Sequence, residues 1–228
     1  MLSGYGTEIF YGALETLRLS LLSLVVAFLV GLLGATAKLS GNRLSFFLST
    51  CYTTLIRGVP DLVLMLLTFY SIQIALNVVT DRVGATQVDI SPFWAGSATI
   101  GLVYGAYFVE TFRGAYLSIS RGQIEAAMAY GMTYWTAFKR IIFPQLMLHA
   151  LPGISNNWQV IVKATALVSI IGLSDLVKAA QNAGRSTFNS FFFMLVAACV
   201  YLVLAAISTV ALDRLERHYS RHARGISR

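Results

Sequence analysis

Charge is scarce in this chain. Only 12% of its 228 residues are Asp, Glu, Lys or Arg, while 57% are hydrophobic; a soluble domain carries roughly twice that charge. A soluble core of this length has no room for the surplus. The shortage is also uneven. Residues 19–37, 62–80, 90–109 and 186–212 contain none of the four charged types, and each run comes close to or exceeds the ~20 residues that a helix needs to cross hydrocarbon. Cysteine is nearly absent. Cys51 precedes the second expected span and Cys199 lies inside the last, which excludes a disulfide-stapled secreted framework. The sequence has no G-x-x-x-x-G-K-[ST] phosphate loop, no G-x-S-x-G elbow, no H-E-x-x-H and no clustered Cys/His ligands. No catalytic residue, no metal site and no cofactor held by this chain are therefore expected. Arg18 is the first basic residue, so residues 1–17 lack the positive n-region of a signal peptide and the first span is expected to stay attached.

A fifth uncharged run, 141–162, is far more polar, holding Gln145, His149, Ser155, Asn156, Asn157 and Gln159, and apolar character resumes beyond Lys163 as far as Leu173. The pattern predicts an all-α integral membrane protein, a single domain over 1–228, with five transmembrane helices at about 17–38, 58–80, 91–112, 151–173 and 189–212. Five crossings put the termini on opposite sides. Lys38, Arg43, Arg57, Arg113, Arg121, Lys139, Arg140 and the five arginines of the tail then share one side, twelve in all, against Arg82, Lys178 and Arg185 on the other. Positive-inside bias places the C-terminus in the cytoplasm and the N-terminus outside. The net charge of +7 is largely this tail beside an anionic leaflet, a simpler account than nucleic-acid binding.

Residues 1–18 read as an amphipathic lead-in helix, with Glu8, Tyr11, Glu15 and Arg18 on one face. Gly58-Val59-Pro60-Asp61 opens the second span, with Pro and an acidic residue where the first helical turn favours them. Gly101 and Gly105 form a G-x-x-x-G that lets helix backbones approach closely. The longest inner connection is not loop-like. Ser120-Arg121-Gly122-Gln123 reads as a capping box, residues 124–130 as a short helix and Gly131 as its left-handed stop. Thr133 is placed to cap a second helix over 134–143, and Pro144 to interrupt it. Two short helices joined at a Gly hinge suit a docking surface.

This segment resembles the EAA loop of ATP-binding-cassette importer permeases. Glu125-Ala126-Ala127 is followed by three residues, Gly131, nine residues, and then Ile141-Ile142-Phe143-Pro144; Phe143 stands where the family pattern has Leu. Arg57-Gly58-Val59-Pro60, the stretch from Tyr104 through Glu110 to Arg113-Gly114, and Lys163-Ala164-Thr165-Ala166-Leu167 narrow the likeness to permeases for polar amino acids. The importers of histidine, lysine, arginine and ornithine and their arginine and opine relatives are nearest in pattern. The resemblance implies a type I importer permease fold in the bacterial inner membrane. It also implies a second permease subunit (a related chain or another copy), two ATPase subunits that bind ATP and Mg, and a periplasmic amino-acid-binding protein. Glu125, Ala126, Ala127, Gly131 and Pro144 would couple the permease to the ATPase over residues 120–144.

Ionisable groups inside a membrane usually face a cavity or a partner. Asp61 and Glu110 are candidates for the side chain of a cationic amino acid, and Asn156, Asn157 and Lys163 for its ammonium and carboxylate groups. The competing reading of each is a helix cap, a snorkelling charge or an ion pair between spans. A self-sufficient, ion-coupled secondary transporter or channel would use similar polar residues, but it has no use for an ordered EAA segment and would favour an internal repeat.

Overall fold

The computed structural model describes residues 4–84, 86 and 89–224. Residues 1–3 of the expected lead-in helix, 85, 87 and 88 of the outer loop, and 225–228 of the basic tail lie outside the described residues. All regular structure among the described residues is helical: α1 Gly6–Leu39, α2 Arg43–Gly58, α3 Asp61–Val83, α4 Pro92–Leu117, α5 Arg121–Ala129, α6 Tyr134–Ala137, α7 Phe143–Ala164, α8 Leu176–Thr187 and α9 Ser190–Arg224. A π turn, Phe138–Ile142, joins α6 to α7, and a 3₁₀ segment, Thr165–Ile171, follows α7.

Helix α4 is the axis of the bundle, packed against α1, α2, α3, α7 and the 3₁₀ segment. Its core residues Ile100, Val103, Tyr104, Phe108 and Phe112 meet Leu19, Ala27 and Ala35 of α1 and Ala150, Leu151 and Ile161 of α7. The α1–α4 seam is glycine on both sides. A Cβ at Gly101 would fall 2.4 Å from Val26 Cγ1, and one at Gly105 2.7 Å from Val30 Cγ1. Reciprocally, a Cβ at Gly31 would fall 2.3 Å from Phe108 Cβ, and one at Gly34 2.3 Å from Val109 Cγ2. The G-x-x-x-G of α4 is thus a close helix contact, as its spacing predicts.

Three helices among the described residues are long and apolar enough to cross a membrane: Gly6–Leu39, Asp61–Val83 and Ser190–Arg217. The helical run Tyr134–Ile171 joins Leu176–Thr187 at a 54° bend and meets the same test as a pair. Helix α4, the expected third span, is outside this set. It carries Gly, Ser, Thr and Tyr where it packs against other helices, and Ser97, Thr99 and Gly105 are buried in it.

Two local expectations are corrected. Ser120 stands at the N-cap of α5 but its hydroxyl accepts no capping bond, and the Gln123 side chain accepts from Gln145 Nε2 instead; the capping box is not made. Nor does Pro144 interrupt the helix. It takes a place in the first turn of α7, where its missing N–H costs little, and the widened π turn before it carries the chain through with Phe143 N–H donating to Phe138 O.

A second small core, Ile9, Leu176, Ala180, Ala183, Phe193 and Ala197, fastens α8 to the start of α1 and to α9. Asp175 caps α8, its Oδ1 accepting from Lys178 N at 3.0 Å.

Candidate functional site

The residues that carry chemistry fall into three places. The first is the segment between α4 and α7. Gly131 has φ +76°, and the bonds Met132 N→Ala127 O (3.1 Å) and Gly131 N→Met128 O (2.9 Å) close α5 in a Schellman turn. The Thr133 hydroxyl accepts from Thr136 N at 3.3 Å and so caps α6. Glu125 and Ala126 are exposed on α5, whereas Ala127 is buried against the chain itself. Tyr130, Tyr134 and Trp135 are exposed nearby, and Lys139 Nζ lies 4.8 Å above the Trp135 ring.

The second place is the end of α1, where it meets α2 and α4. Lys38 Nζ donates to Glu110 Oε1 at 2.6 Å and to Thr53 Oγ1 at 2.8 Å, and Arg113 Nε donates to Glu110 Oε2 at 2.9 Å. Only 6% of the Lys38 side chain is exposed, so the pair is shielded from solvent screening. Arg57 lies 5.3 Å above the ring of Tyr107, a cation–π contact. Lys38, Thr50, Thr53, Thr54, Arg57 and Glu110 line an open cleft of about 450 Å³.

The third place is where α3 starts. Tyr104 Oη donates to Asp61 Oδ2 at 2.6 Å. Asp61 and Tyr104 line a narrow cavity with Met65, Thr99, Ile100 and Leu167. Thr99 is buried, and its hydroxyl has no partner among the described residues.

The five residues expected along a substrate path do not converge on one cavity. Asp61 and Glu110 line separate ones. Asn157 is buried and donates to Thr111 Oγ1 at 3.2 Å, tying α7 to α4. Asn156 and Lys163 are exposed on α7. Both oxygens of Glu110 are occupied by cations, the ion pair between helices that its competing reading described. The sequence reading took Lys38 only as a charge that sets orientation and Tyr107 as a packing aromatic, and it passed over the threonines of α2. A signal for the last was present: Thr50, Thr53, Thr54 and Arg57 recur at helical spacing and share one face.

The arrangement sets ion pairs and polar groups among apolar helices. Residues 27–221 match the family model described as binding-protein-dependent transport system inner membrane component. This chain belongs to that family. The inner membrane component is 58% identical over 220 residues, 96% of each chain, to the histidine/lysine/arginine/ornithine transport system permease protein HisQ of Salmonella typhimurium. It is 56% identical to HisQ of Escherichia coli K12 at the same coverage. Among solved structures, the fold of the component is similar to a chain of an amino acid ABC transporter crystallised with histidines. The TM-score is 0.79 at 29% identity, with 94% of this chain and 95% of that chain covered.

Proposed function

We propose that this chain is one permease subunit of an ATP-driven importer of basic amino acids, the histidine, lysine, arginine and ornithine class. It pairs with a second permease, rests on two ATPase subunits that bind ATP and Mg, and receives the amino acid from a periplasmic binding protein. The observation that carries this reading is the 58% identity, over nearly the whole chain, to a permease of that transport class. The single domain 1–228 crosses the membrane five times, with α4 as the central span and α7 with the 3₁₀ segment as the fourth. Its N-terminus is periplasmic and its C-terminus cytoplasmic, following the distribution of basic residues.

The EAA segment, 120–144, is the coupling element. Exposed Glu125 and Ala126 meet the ATPase, Ala127 and Gly131 set how α5 sits on the permease, and Pro144 starts the helix that carries movement into the membrane. Without a break between α6 and α7, a displacement of α5 and α6 passes along one continuous rod. That geometry favours coupling to a partner over a self-contained ion gradient.

Within the membrane, Asp61 is the carboxylate best placed for a cationic side chain, because its Oδ1 accepts no hydrogen bond among the described residues. Asn156 and Lys163, exposed on α7, are available for the polar ends of the amino acid. Glu110 and Asn157 act by holding α1, α4 and α7 around the path.

The test is uptake of labelled arginine, histidine and glutamine into proteoliposomes holding this chain, its partner permease, the ATPase and the binding protein. Uptake of arginine and histidine that requires ATP is expected. Uptake indifferent to ATP would overturn coupling, and glutamine carried in preference to arginine would overturn the substrate class.

A further inference from the structure

The cleft at the end of α1 is cationic. Lys38 and Arg57 line it with a single carboxylate, Glu110, and that carboxylate is already shared between Lys38 and Arg113. No ion pair among the described residues involves Arg57. Its contact is the ring of Tyr107 below it, which leaves the edge of the guanidinium, where its N–H donors point, open. One α2 face supplies hydroxyls on the same wall, and Thr50 Oγ1 is buried there with no hydrogen-bond partner among the described residues. A buried hydroxyl without a partner is costly, and this one lies two helical turns from Arg57 on the same face. A fixed cation held over an aromatic ring, a buried ammonium and an orphan hydroxyl form a site with donors in excess of acceptors.

We propose that this cleft binds an oxyanion, a single phosphate or carboxylate group, on Arg57 with Thr50 and the Lys38 ammonium behind it. Guanidinium forks match the paired oxygens of both groups. Two sources bring that chemistry to a membrane boundary. One is the phosphodiester of an anionic phospholipid, since α2 also exposes Phe47 and Leu55, and basic pockets between transmembrane helices recognise such headgroups. The other is the α-carboxylate of a departing amino acid; this source alone rests on the transport reading above.

The experiment uses the whole complex, purified and stripped of lipid, as wild type and as Arg57→Gln, Arg57→Lys and Thr50→Val. Dioleoylphosphatidylglycerol is titrated against dioleoylphosphatidylcholine, with bound lipid counted by native mass spectrometry. In phosphatidylcholine nanodiscs, arginine is compared with agmatine, which lacks the carboxylate, by the shift in thermal midpoint. At least one oxyanion probe is expected to bind the wild type about tenfold more tightly than Arg57→Gln, with Arg57→Lys between them and Thr50→Val several-fold weaker. Preference for phosphatidylglycerol assigns the lipid, and preference for arginine over agmatine assigns the amino acid. Equal binding of both probes by the wild type and by variants that keep its thermal midpoint would overturn the site. Should Arg57→Gln not assemble, Arg57→Lys and Thr50→Val decide by the same criterion. Failure of the transport reading is separate, appearing as wild-type proteoliposomes without ATP-driven uptake while the lipid arm stands.

Discussion

Lys38, one residue from the end of α1, and Glu110 of α4 meet at 2.6 Å although 72 positions separate them. With the Lys38 ammonium enclosed, removing Glu110 leaves that cation with no counter-charge, whereas removing Lys38 leaves Glu110 still paired with Arg113. Glu110→Gln is expected to cost about 3 kcal/mol and Lys38→Met less, with the double variant below the sum. Chemical denaturation in mild detergent, arranged as a double-mutant cycle, measures the coupling. Additive losses would mean that the pair contributes nothing as a pair.

The α1–α4 seam makes a sharper claim about space. Gly31→Ala places a methyl 2.3 Å from Phe108 Cβ and 3.1 Å from Phe108 C, where backbone must give way. The expected loss is about 1–3 kcal/mol, the usual range for overpacking. Gly114→Ala, whose Cβ meets nothing within 4 Å, is the control and should be neutral or slightly stabilising. Thermal midpoints of the two variants, measured side by side, check this.

Asp175 is wholly buried and caps α8 through Oδ1, while Oδ2 finds no partner among the described residues. Asp175→Ala should lose the cap, about 1–2 kcal/mol. Asp175→Asn retains the capping oxygen without a buried charge and should match or exceed the wild type. Limited proteolysis of the α7–α8 bend distinguishes them, with faster cleavage expected for the alanine variant only.

Glu125 is exposed and makes no hydrogen bond or ion pair among the described residues; Glu125→Lys should therefore change the stability of the permease by no more than about 0.5 kcal/mol. The proposed coupling role predicts a different loss. Co-purification of the ATPase should weaken and ATP-driven uptake should fall at least about tenfold, while the thermal midpoint of the isolated permease stays put.

Legibility in the sequence tracked how local each cause was. Residues 62–80 read as a span because α3 is apolar all round and only Met65 of it is buried. The Gly131 stop was equally plain, because a left-handed residue leaves a local demand that glycine meets. Helix α4 showed its close packing in Gly101 and Gly105 but not its central position, since burial over much of its surface blurs the one-sided pattern that marks a surface helix. Helix α2 hid its role because its Thr and Arg stripe faces a cleft formed only when α1 and α4 close beside it. The pairing of Lys38 with Glu110 and of Tyr104 with Asp61 could not be read at all, because each depends on how distant helices cross. A short motif also misled at Ser120, where Gln145 competes for the very side chain that a capping box would use.

The four interlocking glycines of α1 and α4 set a limit on how this molecule can change shape. Valine methyls and phenylalanine carbons sit where a single Cβ would collide, so neither helix can slide or roll against the other without first being lifted away. The two behave as a welded beam. Under the proposed alternation between the two sides of the membrane, movement falls to parts with looser attachment, and α3, of which only Met65 is buried, is one of them. The gate is then hung on a frame that does not itself bend.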